Sequence, residues 1–291
     1  MPLPHLPFPV SGIADEAADD IHGQISAHQE LGWSFLELRQ IDGKQASTAL
    51  LSDSDFAIAL EAIANANLRV NAFASAIGNW SRPIDGDFEV DLADLRIVLR
   101  RMQRTGAKFV RTMSWVGAHV APEFWRDEAV RRYKIMGDMA AEAGVMIAHE
   151  NCEGWGGLGP AYAREFMERI DHPHVGALFD IGNTVAYGHD PLAFYEQIKP
   201  FIRYVHVKDC RRNPEGGKSA DFTMPGEGDA HVRDILKDLL HSGYTAGISI
   251  EPHVASVIHL GSSSASPEMR RAAYMTYARK LETMLGEITG A

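Results

Sequence analysis

The sequence has little of what defines several large protein classes. Its 291 residues include only two cysteines, Cys152 and Cys210, which excludes a disulfide-stabilised scaffold and favours a reducing, cytoplasmic location. No apolar run reaches the roughly eighteen residues that a transmembrane helix needs. Acidic residues outnumber basic ones, giving a net charge of −11. This charge argues against nucleic acid as a partner, because such proteins usually present a basic face.

The start of the chain also lacks the basic region and apolar stretch of a signal peptide. Residues 1–10 are rich in proline, so we expect an extended N-terminal arm. No low-complexity linker or change of composition divides the remainder. We therefore expect one domain over residues 1–291.

Short apolar runs alternate with amphipathic stretches along the whole chain. The apolar runs predict eight strands: Ser11–Asp15, Phe35–Arg39, Arg69–Ala74, Phe109–Met113, Val145–Glu150, Gly176–Asp180, Arg203–Lys208 and Gly247–Glu251. The amphipathic stretches predict helices at Ile21–Leu31, Asp55–Ala66, Leu92–Thr105, Asp127–Ala143, Val232–His241 and Pro267–Leu285. Several of these patterns stop at a glycine, the residue that commonly ends a helix.

This alternation predicts the α/β class and a single (β/α)8 TIM barrel. The alternative is an open, doubly wound sheet, which would need a glycine-rich phosphate-binding turn after the first strand. Here the first strand leads into the acidic segment 15–20, which would repel phosphate. The barrel is therefore the prediction.

The ends of four consecutive predicted strands carry an acid or an imidazole. TIM-barrel active sites lie at the C-terminal ends of the strands, so these side chains are expected to meet. The residues are Glu150, Asp180, His206 and Glu251. Side chains alternate across a strand, and placing His206 in the lumen turns Val205 and Val207 towards the helices. Glu251 in the lumen likewise turns Ile250 outwards, so polarity and strand phase agree.

Three carboxylates at one barrel mouth repel one another unless a cation lies between them. Oxygen ligands with one imidazole favour Mn²⁺, with Mg²⁺, Co²⁺ and Zn²⁺ as alternatives. Four protein ligands on an octahedral ion leave two open positions, which suit neighbouring oxygens of a hydroxy-ketone or hydroxy-aldehyde. The sequence thus predicts one divalent metal ion and a small sugar or keto-sugar substrate.

These motifs resemble the xylose isomerase-like barrel superfamily, the sugar phosphate isomerase/epimerase group that includes the ketose 3-epimerases. The resemblance covers nearly the whole chain. It rests on the segments His149-Glu150-Asn151, Phe179-Asp180-Ile181-Gly182-Asn183, His206-Val207-Lys208-Asp209, Met224-Pro225-Gly226-Glu227-Gly228-Asp229 and Ile250-Glu251-Pro252. It implies that Glu150, Asp180, His206 and Glu251 bind the metal, and that the two glutamates are also the acid/base pair.

One departure from the family pattern is Asn183, where many relatives carry a histidine that contacts substrate or a further metal. The difference weakens the transfer of a particular ketose specificity. It also argues against the superfamily's abasic-site endonucleases, whose three-zinc clusters need additional histidines.

The implied chemistry begins with removal of a proton next to a carbonyl by one glutamate, giving a cis-enediolate that the metal stabilises. Returning the proton to the opposite face gives an epimerase, and returning it to the neighbouring carbon gives an aldose–ketose isomerase. A leaving group in the β position would instead give a lyase or dehydratase acting on 3-oxo-glycosides or keto-sugars. We favour the isomerase or epimerase, with the lyase or dehydratase as the alternative and a non-catalytic sugar-binding relative as the third hypothesis.

Seven residues are predicted to contact substrate, and for most of them a purely structural role is the alternative. They are Asn183, Lys208, His253, Arg111, Trp115, Trp155 and Glu37. Lys208 would hold an oxyanion near the metal, whereas Glu37 could equally form an ion pair with Arg39 in the barrel wall. Arg111 could neutralise the acidic lumen, and the two tryptophans could simply be packed. His149 is expected to face the helices, neither cysteine is marked as a nucleophile, and a homo-oligomer is expected.

Overall fold

A ring of eight parallel strands forms the centre of the fold. The computed structural model describes residues 6–216, 221–255 and 265–290. The strands are β1 (Val10–Gly12), β2 (Phe35–Leu38), β3 (Arg69–Ala74), β4 (Phe109–Ser114), β5 (Met146–Gly154), β6 (Val175–Asp180), β7 (Ile202–Val207) and β8 (Ile248–Ile250). They pair in the order β1-β8-β7-β6-β5-β4-β3-β2, and a bridge between Ile13 and Glu37 joins the two edges. The predicted TIM barrel is confirmed.

Helices surround this ring on its outer face. They are α1 (Ile21–Leu31), α2 (Asp53–Asn65), α3 (Phe88–Thr105), α4 (Pro122–Ala143), α5 (Pro160–Ile170), α6 (Ile181–Ala186), α7 (Pro191–Ile198), α8 (Val232–His241) and α9 (Pro267–Thr289). The sequence patterns assigned α1 and α8 with these bounds but gave no bounds for α5, α6 and α7. In the part of the chain that the structure describes, no helix has the length and apolarity to cross a bilayer.

The helix ends show which local signals set them. Helix α2 begins earlier than the pattern indicated because Ser52 is its cap, accepting the backbone N–H of Asp55 at 3.0 Å. Helix α4 likewise begins at Pro122, because proline suits the first turn, where its missing N–H costs nothing. Gly106 ends α3 with a φ of 75°, a left-handed conformation that glycine adopts without steric cost.

Side chains alternate between two apolar layers, as the strand phase predicted. Ile147, Phe179 and Val205 lie in the large core between the strands and the helices. A second, smaller cluster fills the lumen and consists of Ala72, Ala148, Leu178 and Tyr204, with Phe109 packed against it. The lumen is therefore a filled core, and its buried charged side chains lie towards the end where the strands terminate.

Helix α1 contains a buried histidine whose titration should affect folding. His28 Nδ1 donates to the Gln24 carbonyl at 2.9 Å, and the Tyr274 hydroxyl lies 3.2 Å from Nε2. Burial lowers the pKa of His28 to about 4, against an ordinary value of 6.5. The unfolded chain therefore takes up this proton at a higher pH than the folded protein does, so His28 reduces stability as the pH falls from about 6.5 to about 4.

We predict that His28→Gln weakens this pH dependence. The free energy of unfolding of the wild type should fall by up to about 3 kcal/mol more than that of the variant between pH 7 and pH 4. Urea unfolding at a series of pH values measures the difference. His22→Gln, at an exposed position on the same helix, should behave like the wild type. Parallel curves for wild type and His28→Gln would contradict the assignment.

Candidate metal centre

The barrel brings together the four residues predicted as metal ligands. Glu150 lies on β5, Asp180 ends β6, His206 lies on β7 and Glu251 directly follows β8. All four are buried, and one potential ligand atom from each lies within 4.8 Å of the others. Parallel pairing explains the convergence. Asp180 on β6 is aligned with His206 on β7, and His206 is aligned with Ser249 on β8. Glu251 follows Ser249 by two residues, so it lies on the same side of its strand.

The donor atoms of this cluster fit a divalent cation. Glu150 Oε2, Asp180 Oδ2, His206 Nδ1 and Glu251 Oε2 are buried, and none makes a hydrogen bond of acceptable geometry among the described residues. The three oxygens do lie close to cations: those of Asp180 and Glu251 are 2.7 Å from Lys208 Nζ, and that of Glu150 is 3.3 Å from Arg111 Nη1. Buried polar atoms are nearly always satisfied in folded proteins. Three oxygens and one imidazole nitrogen, one atom from each residue, form the ligand set that Mn²⁺, Mg²⁺ or Zn²⁺ accepts.

Neighbouring groups hold the other oxygen of two of these ligands. Asn183 donates its side-chain amide to Glu150 Oε1 at 2.9 Å and its backbone N–H to Asp180 Oδ1 at 3.0 Å. The Asn151 side chain bonds both the N–H and the carbonyl of Asp180, at 2.7 and 2.9 Å. Each carboxylate is thereby oriented through one oxygen while its second oxygen faces the cluster. Sequence reasoning used Asn151 only as a motif letter and missed this clamp.

Buried carboxylates outnumber permanently charged cations in the lumen. Six buried carboxylates, those of Asp15, Glu16, Glu37, Glu150, Asp180 and Glu251, surround three permanently charged groups, those of Arg39, Arg111 and Lys208. Burial, together with Glu251 and Glu150, raises the pKa of Asp180 to about 7, although Lys208 opposes this rise. Like charges at close range cannot all remain ionised without compensation. A divalent ion would supply that compensation.

Lys208 lies inside the cluster, on the lumen side that strand alternation predicted for it. Its Nζ is 2.7 Å from both Asp180 Oδ2 and Glu251 Oε2, and it donates to Asn183 Oδ1 at 3.2 Å. The glycine of the Asp-Ile-Gly-Asn motif leaves room for it, because a Cβ atom at Gly182 would lie 2.7 Å from Lys208 Cγ. The carboxylates keep the ammonium charged by raising its pKa, despite its burial.

Arg39 binds a group of acids that sequence reasoning underestimated. Its guanidinium contacts Asp15 at 3.0 Å, Glu16 at 3.4 Å and Glu251 at 3.0 Å. The expected ion pair of Arg39 with Glu37 is not its contact here, since Glu37 lies on His206, 3.1 Å from Nε2. The acidic segment after β1, which is unfavourable for phosphate, thus supplies two buried partners of Arg39. The same strand-end reasoning that found Glu150 would also have found Asp15 and Glu16.

Glu16 contacts both the ring and the backbone of His253. One oxygen of Glu16 lies 2.8 Å from Nδ1 and the other accepts the His253 backbone N–H at 2.9 Å, while Nε2 lies 3.8 Å from Glu251 Oε1. The residue has a left-handed φ of 55°, which is costly outside glycine and marks a constrained position. Glu16, Glu251 and His253 form a second group whose potential ligand atoms lie within 4.8 Å of one another, and the Arg39 guanidinium contacts both of its glutamates.

Arg111 approaches both glutamates that are predicted to transfer protons. Its Nη1 lies 3.3 Å from Glu150 Oε2 and 3.9 Å from Glu251 Oε1, and Nη2 donates to the Ser75 carbonyl at 3.0 Å. This position favours the neutralising role over a contact with distant substrate groups.

The two tryptophans predicted either to stack on substrate or to pack make aromatic contacts within the protein. Trp115 is completely buried between α3 and α4, and its indole N–H donates to Asp91 at 2.7 Å, which favours the packing alternative. Trp155 packs edge-on against Trp125 with ring centroids 5.6 Å apart. Trp125, which the sequence did not single out, lines a cavity of about 270 Å³ at the end of β5, beside Tyr187.

The contacts agree with the structural roles expected for His149, the two cysteines and Asp209. His149 faces the helices, with Nε2 3.0 Å from Ser114 Oγ and its ring against Phe166, and burial lowers its pKa to about 3. Burial also raises the pKa of both Cys152 and Cys210 to about 12, so neither thiol is an activated nucleophile. Asp209 accepts N–H groups from the following loop rather than entering the cluster.

Comparison with known proteins assigns the chain to one family. The family model described as "Xylose isomerase-like TIM barrel" matches residues 25–276, and the chain belongs to that family. The resemblance inferred from the motifs is therefore confirmed.

Among curated proteins, inosose dehydratase from Lacticaseibacillus casei is 30% identical over 145 residues, which cover 45% of this chain and 49% of that protein. The match thus spans about half the length of that relative. Among solved structures, the IOLI protein with a bound zinc atom has a TM-score of 0.75 at 16% identity, with 97% of this chain and 99% of that chain covered. D-psicose 3-epimerase with D-tagatose, from Clostridium cellulolyticum H10, has a TM-score of 0.73 at 14% identity, with 96% and 99% covered. At such identities the two structures show the shared fold alone.

We predict that a divalent ion stabilises the folded protein through this cluster. At about one hundred times its dissociation constant, Mn²⁺ should raise the free energy of unfolding by about 2.7 kcal/mol. Asp180→Asn should abolish most of this gain, because it replaces a charged ligand with a neutral amide. Thermal unfolding with and without Mn²⁺ measures both.

Asp91→Asn is the matched control, since Asp91 is equally buried but bonds Trp115 outside the cluster. It should lower stability yet keep the gain from Mn²⁺. If neither Mn²⁺, Mg²⁺, Co²⁺ nor Zn²⁺ stabilises the wild type, the metal centre is wrong.

Proposed function

We propose that this protein is a divalent-metal-dependent dehydratase that acts on a keto-polyol of the inosose type. The observation that carries the proposal is the buried cluster of two glutamates, one aspartate and one histidine, whose second oxygens and imidazole nitrogen converge on one position. Such a site suits enolisation, because carbonyl polarisation and proton removal are needed at adjacent atoms.

The roles of the chain's own residues follow from their positions. Glu150 on β5 and Glu251 after β8 approach the cluster from different strands, so one can remove the proton next to the ketone while the other faces a different part of the substrate. A bound divalent ion would act as the Lewis acid on the ketone oxygen. Lys208, which contacts Asp180 and Glu251, offers a fixed positive charge for the oxyanion that develops.

The glutamates account for the proton transfers that loss of water requires. The α C–H bond breaks with its proton passing to one glutamate, and its electron pair forms the carbon–carbon double bond of the enediolate. As the carbonyl re-forms, that electron density makes the new carbon–carbon double bond and expels the β-hydroxyl group, which takes up the proton that the glutamate removed and leaves as water. Burial of the cluster excludes bulk water from the intermediate.

The choice of dehydratase rests on the sequence relatives. Curated proteins that match at 27 to 30% identity carry the name inosose dehydratase. The epimerase neighbour is 14% identical, which supports a common fold and not a common reaction. The preference for an isomerase or epimerase, which the motifs favoured, therefore becomes the second candidate. Its support is the pair of glutamates on separate strands, which could remove a proton and return it to the opposite face.

Incubation of the Mn²⁺-loaded protein with inosose in deuterium oxide separates these candidates. A dehydratase should give a conjugated product that absorbs in the ultraviolet and has lost one water by mass. An epimerase should give no such absorbance but should place deuterium at the carbon next to the ketone. A chelator should abolish either reaction. Unchanged, deuterium-free ketone from the loaded enzyme would contradict both.

Glu150→Gln should lower kcat by at least about 100-fold, because the amide cannot transfer the proton. The assay should be run at saturating Mn²⁺, with bound metal measured in the same sample, so that ligand loss and proton-transfer loss are separated. Glu128→Gln, on the outer helix α4 in a pair with Arg132, is the control and should retain wild-type activity. A Glu150→Gln variant with wild-type kcat would remove Glu150 from the mechanism.

A further inference from the structure

We infer that Glu37 is a positioning residue for the metal centre, which holds His206 so that Nδ1, and not Nε2, is the metal-binding nitrogen. The inference rests on the metal-dependent function proposed above. It replaces the sequence-based prediction that Glu37 contacts substrate.

The contact between the two side chains fixes where the ring carries a proton. His206 Nε2 lies 3.1 Å from both Oε1 and Oε2 of Glu37, and both side chains are fully buried. An ionised carboxylate is only an acceptor, so Nε2 must donate its N–H. The nitrogen left for a metal is therefore Nδ1.

The opposite edge of the ring faces the other ligands. His206 Nδ1 lies 3.4 Å from Glu251 Oε2 and makes no hydrogen bond among the residues that the structure describes. The Tyr204 ring lies edge-on to the imidazole, with centroids 5.8 Å apart, and limits its rotation. The two nitrogens thus have separate partners, a carboxylate on one side and the metal cluster on the other.

The path of β2 delivers Glu37 to this position. Leu36 and Leu38 lie in the outer core, so alternation turns Glu37 into the lumen. The pairing of β2 with β3 shifts register between Leu36 and Glu37, and such irregularities commonly re-aim a side chain beside an active site. From β2 the carboxylate reaches across the lumen to His206 on β7, although β2 supplies none of the four predicted ligands.

A direct substrate role for Glu37 fits this geometry poorly. Both of its oxygens lie 3.1 Å from His206 Nε2. A carboxylate that accepts the second N–H of a metal-bound histidine fixes the ring and raises its basicity, and loss of such a partner typically weakens metal binding 10- to 100-fold.

Metal affinity of position-37 variants tests the inference without any assay of turnover. Titration calorimetry with Mn²⁺ should show about 10- to 100-fold weaker binding for Glu37→Leu. Glu37→Gln should fall between Glu37→Leu and the wild type, because its amide oxygen still accepts from Nε2 but carries no charge. Glu37→Gln also preserves the shape of the side chain, which protects the test if Glu37→Leu does not fold.

A matched control is Glu282→Gln. Glu282 is also a buried carboxylate that accepts a ring N–H, that of Trp33 at 2.8 Å, but it lies on α9 outside the lumen. This variant should lose stability and keep wild-type Mn²⁺ affinity. Equal losses of affinity in Glu282→Gln and Glu37→Gln would show only general destabilisation and would overturn the positioning role.

The second readout is the nitrogen that carries the metal. In the protein loaded with diamagnetic Zn²⁺ and labelled with ¹⁵N-histidine, the His206 ring should show a proton on Nε2 and the metal on Nδ1. A proton on Nδ1, or wild-type Mn²⁺ affinity in Glu37→Leu, would overturn the inference. If the wild type binds Mn²⁺ but leaves inosose unchanged, the proposed reaction fails while the role of Glu37 stands.

Discussion

Crowding of acids at one end of the lumen is the constraint on which the rest of the structure depends. Six buried carboxylates share this space with Arg39, Arg111 and Lys208. Each of these cations lies within 4 Å of at least two of the carboxylates. Burying an uncompensated charge costs several kcal/mol, so the barrel can keep this arrangement only with paired charges, and a divalent cation at the proposed centre would add to that pairing. The filled apolar layer beneath, around Tyr204 and Leu178, gives the acids a rigid base.

Much of this arrangement could be predicted because strand alternation acts on each strand independently of the rest of the fold. Val205, Val207 and Ile250 had to face the helices, which placed His206 and Glu251 in the lumen. The parallel order of strands then placed their ends together. The same logic was available for Asp15 and Glu16 after β1, but their acidity was weighed only against phosphate binding.

What sequence could not supply was the partner of each side chain. Glu37 and Arg39 share a face of β2, which suggested a mutual ion pair, yet each reaches a different strand across the lumen. Trp115 follows β4 at the right height for a substrate contact, but its left-handed φ of 53° turns the ring between helices. Such choices depend on tertiary distances and on single backbone angles, which local patterns do not encode.

The seam between β1 and β2, where the barrel closes, contributes to the proposed metal centre as well as to the fold. The backbone of Glu37 bridges to Ile13 and joins the first strand to the second, while its side chain lies on His206. A slip of one residue at this seam would turn every side chain of β2 to the opposite face. Insertions between β1 and β2 are therefore tolerable only if they preserve this register. A circular permutant with its new termini between β1 and β2 would show whether the barrel can fold without placing Glu37 on His206.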